Sequence, residues 1–184
     1  MYKGNSFLAI IPARSGSKRL LNKNILNIAG KPLIAWTIDA ATKSKYVDYV
    51  AVSTDSQKIL KIAEIFGVRT PFKRPAELAF DNSSSMDAVI HTITELDNIG
   101  KKYDYIILLQ PTSPLRTYND IDKSIEQLIE RNDEAVISVT KSRHSPLWSN
   151  TLPKNQSMSD FIIEDLIDKR SQDLPQYYQL NGAI

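Results

Sequence analysis

Phe7-Leu8-Ala9-Ile10-Ile11-Pro12-Ala13-Arg14-Ser15-Gly16-Ser17-Lys18 joins an unbroken apolar run to a polar loop crowded with cations and small residues. Three further runs share its texture: Tyr49-Val50-Ala51-Val52, Tyr105-Ile106-Ile107-Leu108-Leu109 and Ala135-Val136-Ile137-Ser138-Val139. Continuous rather than alternating apolar runs predict parallel strands covered on both faces. Between them lie helix-period faces. Ile59, Ile62, Ala63 and Phe66 form one, stopped by Gly67; Met86, Val89, Ile90 and Ile93 form a second after the cap-rich Ser83-Ser84-Ser85. Ile121, Ile125, Leu128 and Ile129 make a third, and Leu33, Ile34, Ile38 and Ala41 a weaker fourth behind Pro32. Strand and helix in alternation predict a doubly wound, mostly parallel α/β sheet.

The chain has 184 residues, 23 Lys+Arg against 21 Asp+Glu, and no cysteine. This length suits one domain with at most an appendage. A net charge of +2 does not point to nucleic acid or an anionic membrane as partner. The absence of cysteine excludes disulfides, thiolate metal sites and a cysteine nucleophile. The first apolar run is too short to span a bilayer or to serve as a secretory core, so a cytoplasmic address is expected.

In open α/β sheets ligands bind beyond the carboxyl ends of the strands. The loop after the first run carries Arg14, Lys18, Arg19 and Lys23 with Ser15, Gly16 and Ser17. That density of charge, with a glycine to let successive N–H groups converge, suits a triphosphate. It is not a P-loop, because Ile11 stands five before Gly16 and Ser17 separates Gly16 from Lys18. A dinucleotide fingerprint and a hydrolase elbow are also absent. Of the two histidines, His91 reads as structural or solvated, and His144 lies in a polar loop. From Lys141 onward the text turns polar and irregular around Pro146, Pro153 and Pro175. Its small amphipathic patch (Phe161, Ile162, Leu166, Ile167) fits a surface helix or an arm against a second subunit.

Five segments in order carry a family resemblance: Ile10 to Lys18 with Lys23-Asn24, Val52-Ser53-Thr54-Asp55, Arg74-Pro75-Ala76-Glu77-Leu78-Ala79, Leu109-Gln110-Pro111-Thr112-Ser113-Pro114-Leu115-Arg116, and Asn181-Gly182-Ala183-Ile184. From Phe7 to the last residue the chain resembles the acylneuraminate cytidylyltransferases. The resemblance implies a nucleotide-diphospho-sugar transferase-like fold with a dimerisation arm. It also implies a reaction in which the anomeric hydroxyl of a nonulosonic acid attacks the α-phosphate of CTP, giving the CMP-sugar and pyrophosphate with Mg²⁺ as cofactor. Residues 1–140 would be the CTP-binding domain, 141–178 the arm, and 179–184 a return to the main sheet. A homodimer is the implied assembly, with no nucleic acid and no membrane as partner.

By the same resemblance Arg14, Ser15, Gly16, Ser17, Lys18, Lys23 and Asn24 would hold the triphosphate and ribose, and Arg74 and Ser85 the cytosine. Arg14, Lys18, Lys23 and Gln110 would carry catalysis. Gln110, Thr112, Ser113, Arg170 and Asn181 would face the sugar. The electrostatics agree, since cations can neutralise charge on the transferring phosphate and departing pyrophosphate. An arginine can also read the O2/N3 acceptors of cytosine but meets a donor at N3 of uracil. A surface ion pair with Glu77 is the plainer role for Arg74.

The chain departs from the family's pattern at several points. Arg19 and Leu21 stand where a glycine and a proline are common, Ser171 where an arginine precedes Pro175, and Gln179 where an arginine precedes Asn181. The family's metal-holding Asp-x-Asp pair would lie beyond Ile184, so the chain reads as stopping where its next strand begins. Asp120-Ile121-Asp122 has that spacing but falls in the first turn of a predicted helix, where carboxylates favour the dipole. Asp55 could cap the helix of Ile59. The Gln110-to-Pro114 segment looks most like the neuraminate branch. The alternatives are a legionaminic, pseudaminic or 3-deoxy-octulosonic acid substrate, or a catalytically incomplete nucleotide-binding fragment.

Overall fold

A computed structural model describes residues 1–17, 20–162 and 164–184. The chain divides into two compact units, residues 1–136 with 182–184, and residues 137–181. These boundaries fall a few residues from the expected 140/141 and 178/179.

In the first unit, β1 (Phe7–Pro12) leads through a two-residue hairpin, β2 (Asn27–Ile28) and β3 (Lys31–Pro32), into α1 (Leu33–Lys43). Then follow β4 (Tyr49–Ser53), α2 (Gln57–Ile65), α3 (Ser85–Asn98), β5 (Tyr105–Leu108) and α4 (Tyr118–Arg131). β1 is the central strand, parallel to β4 on one side and β5 on the other, with Ile10 opposite both Ala51 and Leu108.

The period of two along β1 divides the core. Phe7, Ala9 and Ile11 pack with Ile34 and Ile38 of α1, Ile59 of α2, and Ile121 and Ile125 of α4. Leu8 and Ile10 pack on the other face with Val89 and Leu96 of α3. This is why the run is apolar throughout rather than alternating. Local signals set the helix ends. Ser56 accepts from the Ile59 N–H at the start of α2, and Gly67, at φ +85°, ends it. Thr117 and Asp120 form a reciprocal capping box on α4.

Two expectations are corrected. The fourth apolar run is not a strand of the parallel sheet: only Val139 enters a strand, β6 (Val139–Lys141), which pairs antiparallel with β7 (Tyr178–Leu180). Ile137 and Val139 are 66% and 49% exposed, unlike the fully covered Ile10. Apolarity marks a run for pairing without saying which segment becomes its partner. On α3 the buried face is Ala88, Val89, Thr92 and Leu96, while Met86 and Ile90 are more than half exposed. The Thr92 hydroxyl donates to the Ala88 carbonyl at 2.7 Å, so a polar residue sits in the core satisfied by its own helix.

The second unit holds the β6–β7 ladder and short 3-10 turns, with Leu166 its buried apolar anchor. Among the described residues of the amphipathic patch, Glu164–Leu166 forms a 3-10 turn. No helix among the described residues is long and apolar enough to cross a membrane.

Candidate active site

The loop leaving β1 is tied down on both sides. The Ala13 N–H donates to the Ser53 carbonyl at 2.9 Å, holding the loop beside the end of β4. The Ser15 N–H and hydroxyl donate to the two carboxylate oxygens of Asp55 at 2.8 and 2.5 Å. The buried Asn24 amide donates to the Arg14 carbonyl at 3.1 Å, returning the loop to its own start. Asp55 thus anchors the loop, and Ser56 rather than Asp55 caps α2. Partial burial raises the Asp55 pKa, but the Ser15 hydrogen bonds and the nearby Arg74 charge outweigh it, and the net direction is downward.

A cavity of about 280 Å³ opens beyond the ends of β1 and β5. Arg14, Ser17, Lys23 and Asn24 line it from the first loop, Arg74 and Ser85 from the segment before α3, and Gln110 and Thr112 from the loop after β5. Among the described residues three cations, Arg14, Lys23 and Arg74, and no carboxylate line the cavity. Arg74 is only 5% exposed and makes no ion pair with Glu77 among the described residues. Its Nε donates to the Ser53 hydroxyl at 3.1 Å and its Nη2 to the Ser53 carbonyl at 2.5 Å, so the guanidinium plane is fixed from the strand. Burial lowers its pKa, the Asp55 charge opposes that shift, and Arg14 adds to it. Arg14 pairs through Nη2 with Asp81 at 2.8 Å and is partly exposed.

Several expected site residues stand elsewhere. Ser15 faces Asp55 rather than the cavity. Gly16 does not line it, and a Cβ there would meet nothing within 4 Å, so the path of the loop does not itself demand glycine. Ser113 closes a turn onto the Gln110 carbonyl at 3.4 Å. Arg170 and Asn181 belong to the second unit. Arg170 forms a bidentate pair with Asp173 at 2.8 and 3.1 Å, and Asn181 accepts from the Ser138 hydroxyl at 2.6 Å. Lys18 and Arg19 lie outside the described residues. His91 packs its ring edge-on to Phe72 at 5.7 Å, and His144 lies in the second unit.

The Asp120 carboxylate and one oxygen of Asp122 are occupied locally, while the buried Oδ2 of Asp122 has no hydrogen-bond partner among the described residues. Asp120 accepts from the Thr117 N–H and hydroxyl, each at 2.8 Å; Asp122 accepts from the Ser44 hydroxyl at 2.6 Å and the Lys45 N–H at 3.1 Å. Among the described residues no group of three or more His, Cys, Asp or Glu side chains could hold a metal. Sequence reasoning gave no role to Arg116, whose buried guanidinium sits behind Gln110. An arginine between an exposed leucine and a helix cap carries no pattern that marks it as buried.

Comparison with known proteins agrees with this geometry. A family model described as cytidylyltransferase matches residues 8–178. The chain is 37% identical over 183 residues to the CMP-N,N'-diacetyllegionaminic acid synthase of Legionella pneumophila, covering 96% of this chain and 75% of that one. It is 38% identical over 179 residues to the N-acylneuraminate cytidylyltransferase of Escherichia coli, covering 96% of this chain and 41% of that one. The fold matches a CMP:2-keto-3-deoxy-manno-octonic acid synthetase solved with CTP, at a TM-score of 0.69 and 22% identity, over 96% of this chain and 72% of that one. The chain belongs to the cytidylyltransferase family.

Proposed function

We propose that this chain transfers CMP from CTP to a nonulosonic acid, with the α/β unit binding the nucleotide. The observation that carries the reading is the carboxylate-free cavity that gathers Arg14, Lys23 and Arg74 on one side and Gln110 and Thr112 on the other. Its support from outside the structure is the likeness to relatives named for such transfers.

In the proposed reaction the anomeric hydroxyl of the acid attacks the α-phosphorus, the bond to the bridging oxygen breaks, and pyrophosphate leaves. Arg14 and Lys23, with Lys18 from the same loop, neutralise charge on the transferring and departing phosphates. Ser17 and Asn24 complete the phosphate and ribose end. Arg74, held in plane by Ser53, reads O2 and N3 of cytosine beside Ser85 at the first turn of α3. Gln110 and Thr112 orient the acid. Because the cavity wall lacks a carboxylate, CTP is proposed to enter as its magnesium complex, and no step is assigned to the metal.

The reaction belongs where CTP is supplied, in the cytoplasm. A homodimer through the second unit is proposed on its exposed apolar side chains, Ile137 and Val139 near one strand and Tyr178 and Leu180 on the other. Sedimentation across a range of concentrations tests it.

The function is tested by mass spectrometry of reactions holding CTP or UTP, Mg²⁺, and neuraminic, legionaminic, pseudaminic or 3-deoxy-octulosonic acid. A CMP adduct of at least one nonulosonic acid, formed from CTP, is expected. Absence of any adduct would remove the reading.

A further inference from the structure

Arg116 is a buried cation, 7% exposed, that forms no ion pair among the described residues. Burial lowers its pKa to about 10, with the Asp120 charge acting weakly the other way, so the side chain remains charged near neutrality. A desolvated guanidinium needs partners for its donors; the two terminal nitrogens find them on backbone and a hydroxyl, while the buried Nε has none among the described residues. Nη1 donates to the Gln110 carbonyl at 3.2 Å and to the Ala183 carbonyl at 2.6 Å, and Nη2 to the Thr37 hydroxyl at 2.8 Å. Thr37 in turn donates to the Gln110 carbonyl at 3.4 Å.

Three segments distant in sequence therefore converge on one side chain: α1, the loop after β5, and the 182–184 strip. The strip also touches the amide end of Gln110. Gly182 has φ +67°, and a Cβ on it would stand 3.1 Å from Nε2 and 3.2 Å from Oε1 of Gln110. The left-handed backbone favours glycine there, and a side chain would push the Gln110 amide aside by a few tenths of an ångström.

We propose that Arg116 is the positioning residue of the acceptor half of the site, clamping the Gln110 backbone to the Gly182–Ala183 strip so that the Gln110 amide meets the nonulosonic acid in one orientation. This rests on the function proposed above, and it assigns Arg116 no contact with either substrate. The phosphate loop is anchored separately, by Asp55 and Asn24, so disturbing Arg116 acts on acid use and spares CTP binding.

Arg116→Lys keeps the charge but replaces the two separated nitrogens that reach Gln110, Ala183 and Thr37 with a single one, so the planar bridge is lost. Its KM for the acid should rise by about 10-fold to 100-fold, on the scale of a misplaced positioning group, with CTP affinity by calorimetry held within about twofold. In a Gln110→Ala background the same substitution should add little, because the group it positions is gone. Side-chain amide resonances of Gln110, read by NMR in the free protein, should collapse to the averaged position of a mobile glutamine in Arg116→Lys and in no surface control such as Lys61→Met. Weakening of CTP affinity and acid use by equal factors, full additivity with Gln110→Ala, or an unchanged Gln110 amide would each overturn the proposal. The NMR arm decides it even if wild type forms no CMP-sugar, a result that would count against the function instead.

Discussion

Ser15 gives both its N–H and its hydroxyl to Asp55, at 2.8 and 2.5 Å, locking the loop after β1 to the end of β4. The loop proposed to bind the triphosphate is thus held in shape by the protein itself. Asp55→Ala should weaken CTP binding about tenfold by calorimetry, on the scale of losing charge-assisted hydrogen bonds. The pKa of Asp55 is lowered in the folded protein, so its contribution is present above the ordinary carboxylate value of 3.8 and is lost only as pH falls through the lower folded value. CTP affinity should therefore show no inflection from Asp55 between pH 5 and 9.

The Asp81 carboxylate stands 2.8 Å from Nη2 of Arg14, so in the proposed function it would compete with the triphosphate for that side chain. Because both side chains are partly exposed, the pair adds at most about 1 kcal/mol to stability. Asp81→Asn should therefore tighten CTP binding severalfold while leaving the melting temperature nearly unchanged. Weaker binding would show that Asp81 supports the nucleotide rather than competing with it.

Arg14 and Arg74 should separate cleanly in kinetics. Arg14→Ala should cost about 3 kcal/mol of transition-state stabilisation, read as loss of kcat/KM, as for removal of one charge-stabilising donor. Arg74→Lys keeps the charge but loses the planar fork, and should cut the preference for CTP over UTP by about 1–3 kcal/mol. Normal turnover by Arg14→Ala would withdraw it from the phosphate site.

The Asp120 carboxylate is spent on a helix cap and one Asp122 oxygen on the turn after α1, so Asp120 should behave as a structural residue. Asp120→Ala should lower stability by about 1 kcal/mol with catalysis intact, since it removes half of the capping box. A large loss of kcat at unchanged melting temperature would return this pair to consideration as a metal site.

Much of this was legible in the sequence because it depends on short-range signals. Unbroken apolar runs identify β1, β4 and β5, and polar loops at their carboxyl ends hold Arg14, Lys23 and Gln110. What was not legible depends on which distant segments meet. Val139 pairs with Leu180, far along the chain, so its run left the parallel sheet. Thr92 is buried because its hydroxyl is satisfied by Ala88, a condition that periodicity does not register. Arg116 is buried because carbonyls at 110 and 183 converge on it, and Ser15 turned to Asp55 because the two strand ends lie side by side.

The most direct measurement is pyrophosphate release by the wild-type chain with CTP and Mg²⁺, with and without each nonulosonic acid. Release that requires CTP and at least one of the acids together, and that falls to background with UTP, is the predicted result. CTP binding measured by calorimetry, with no release for any acid in the panel, would contradict it.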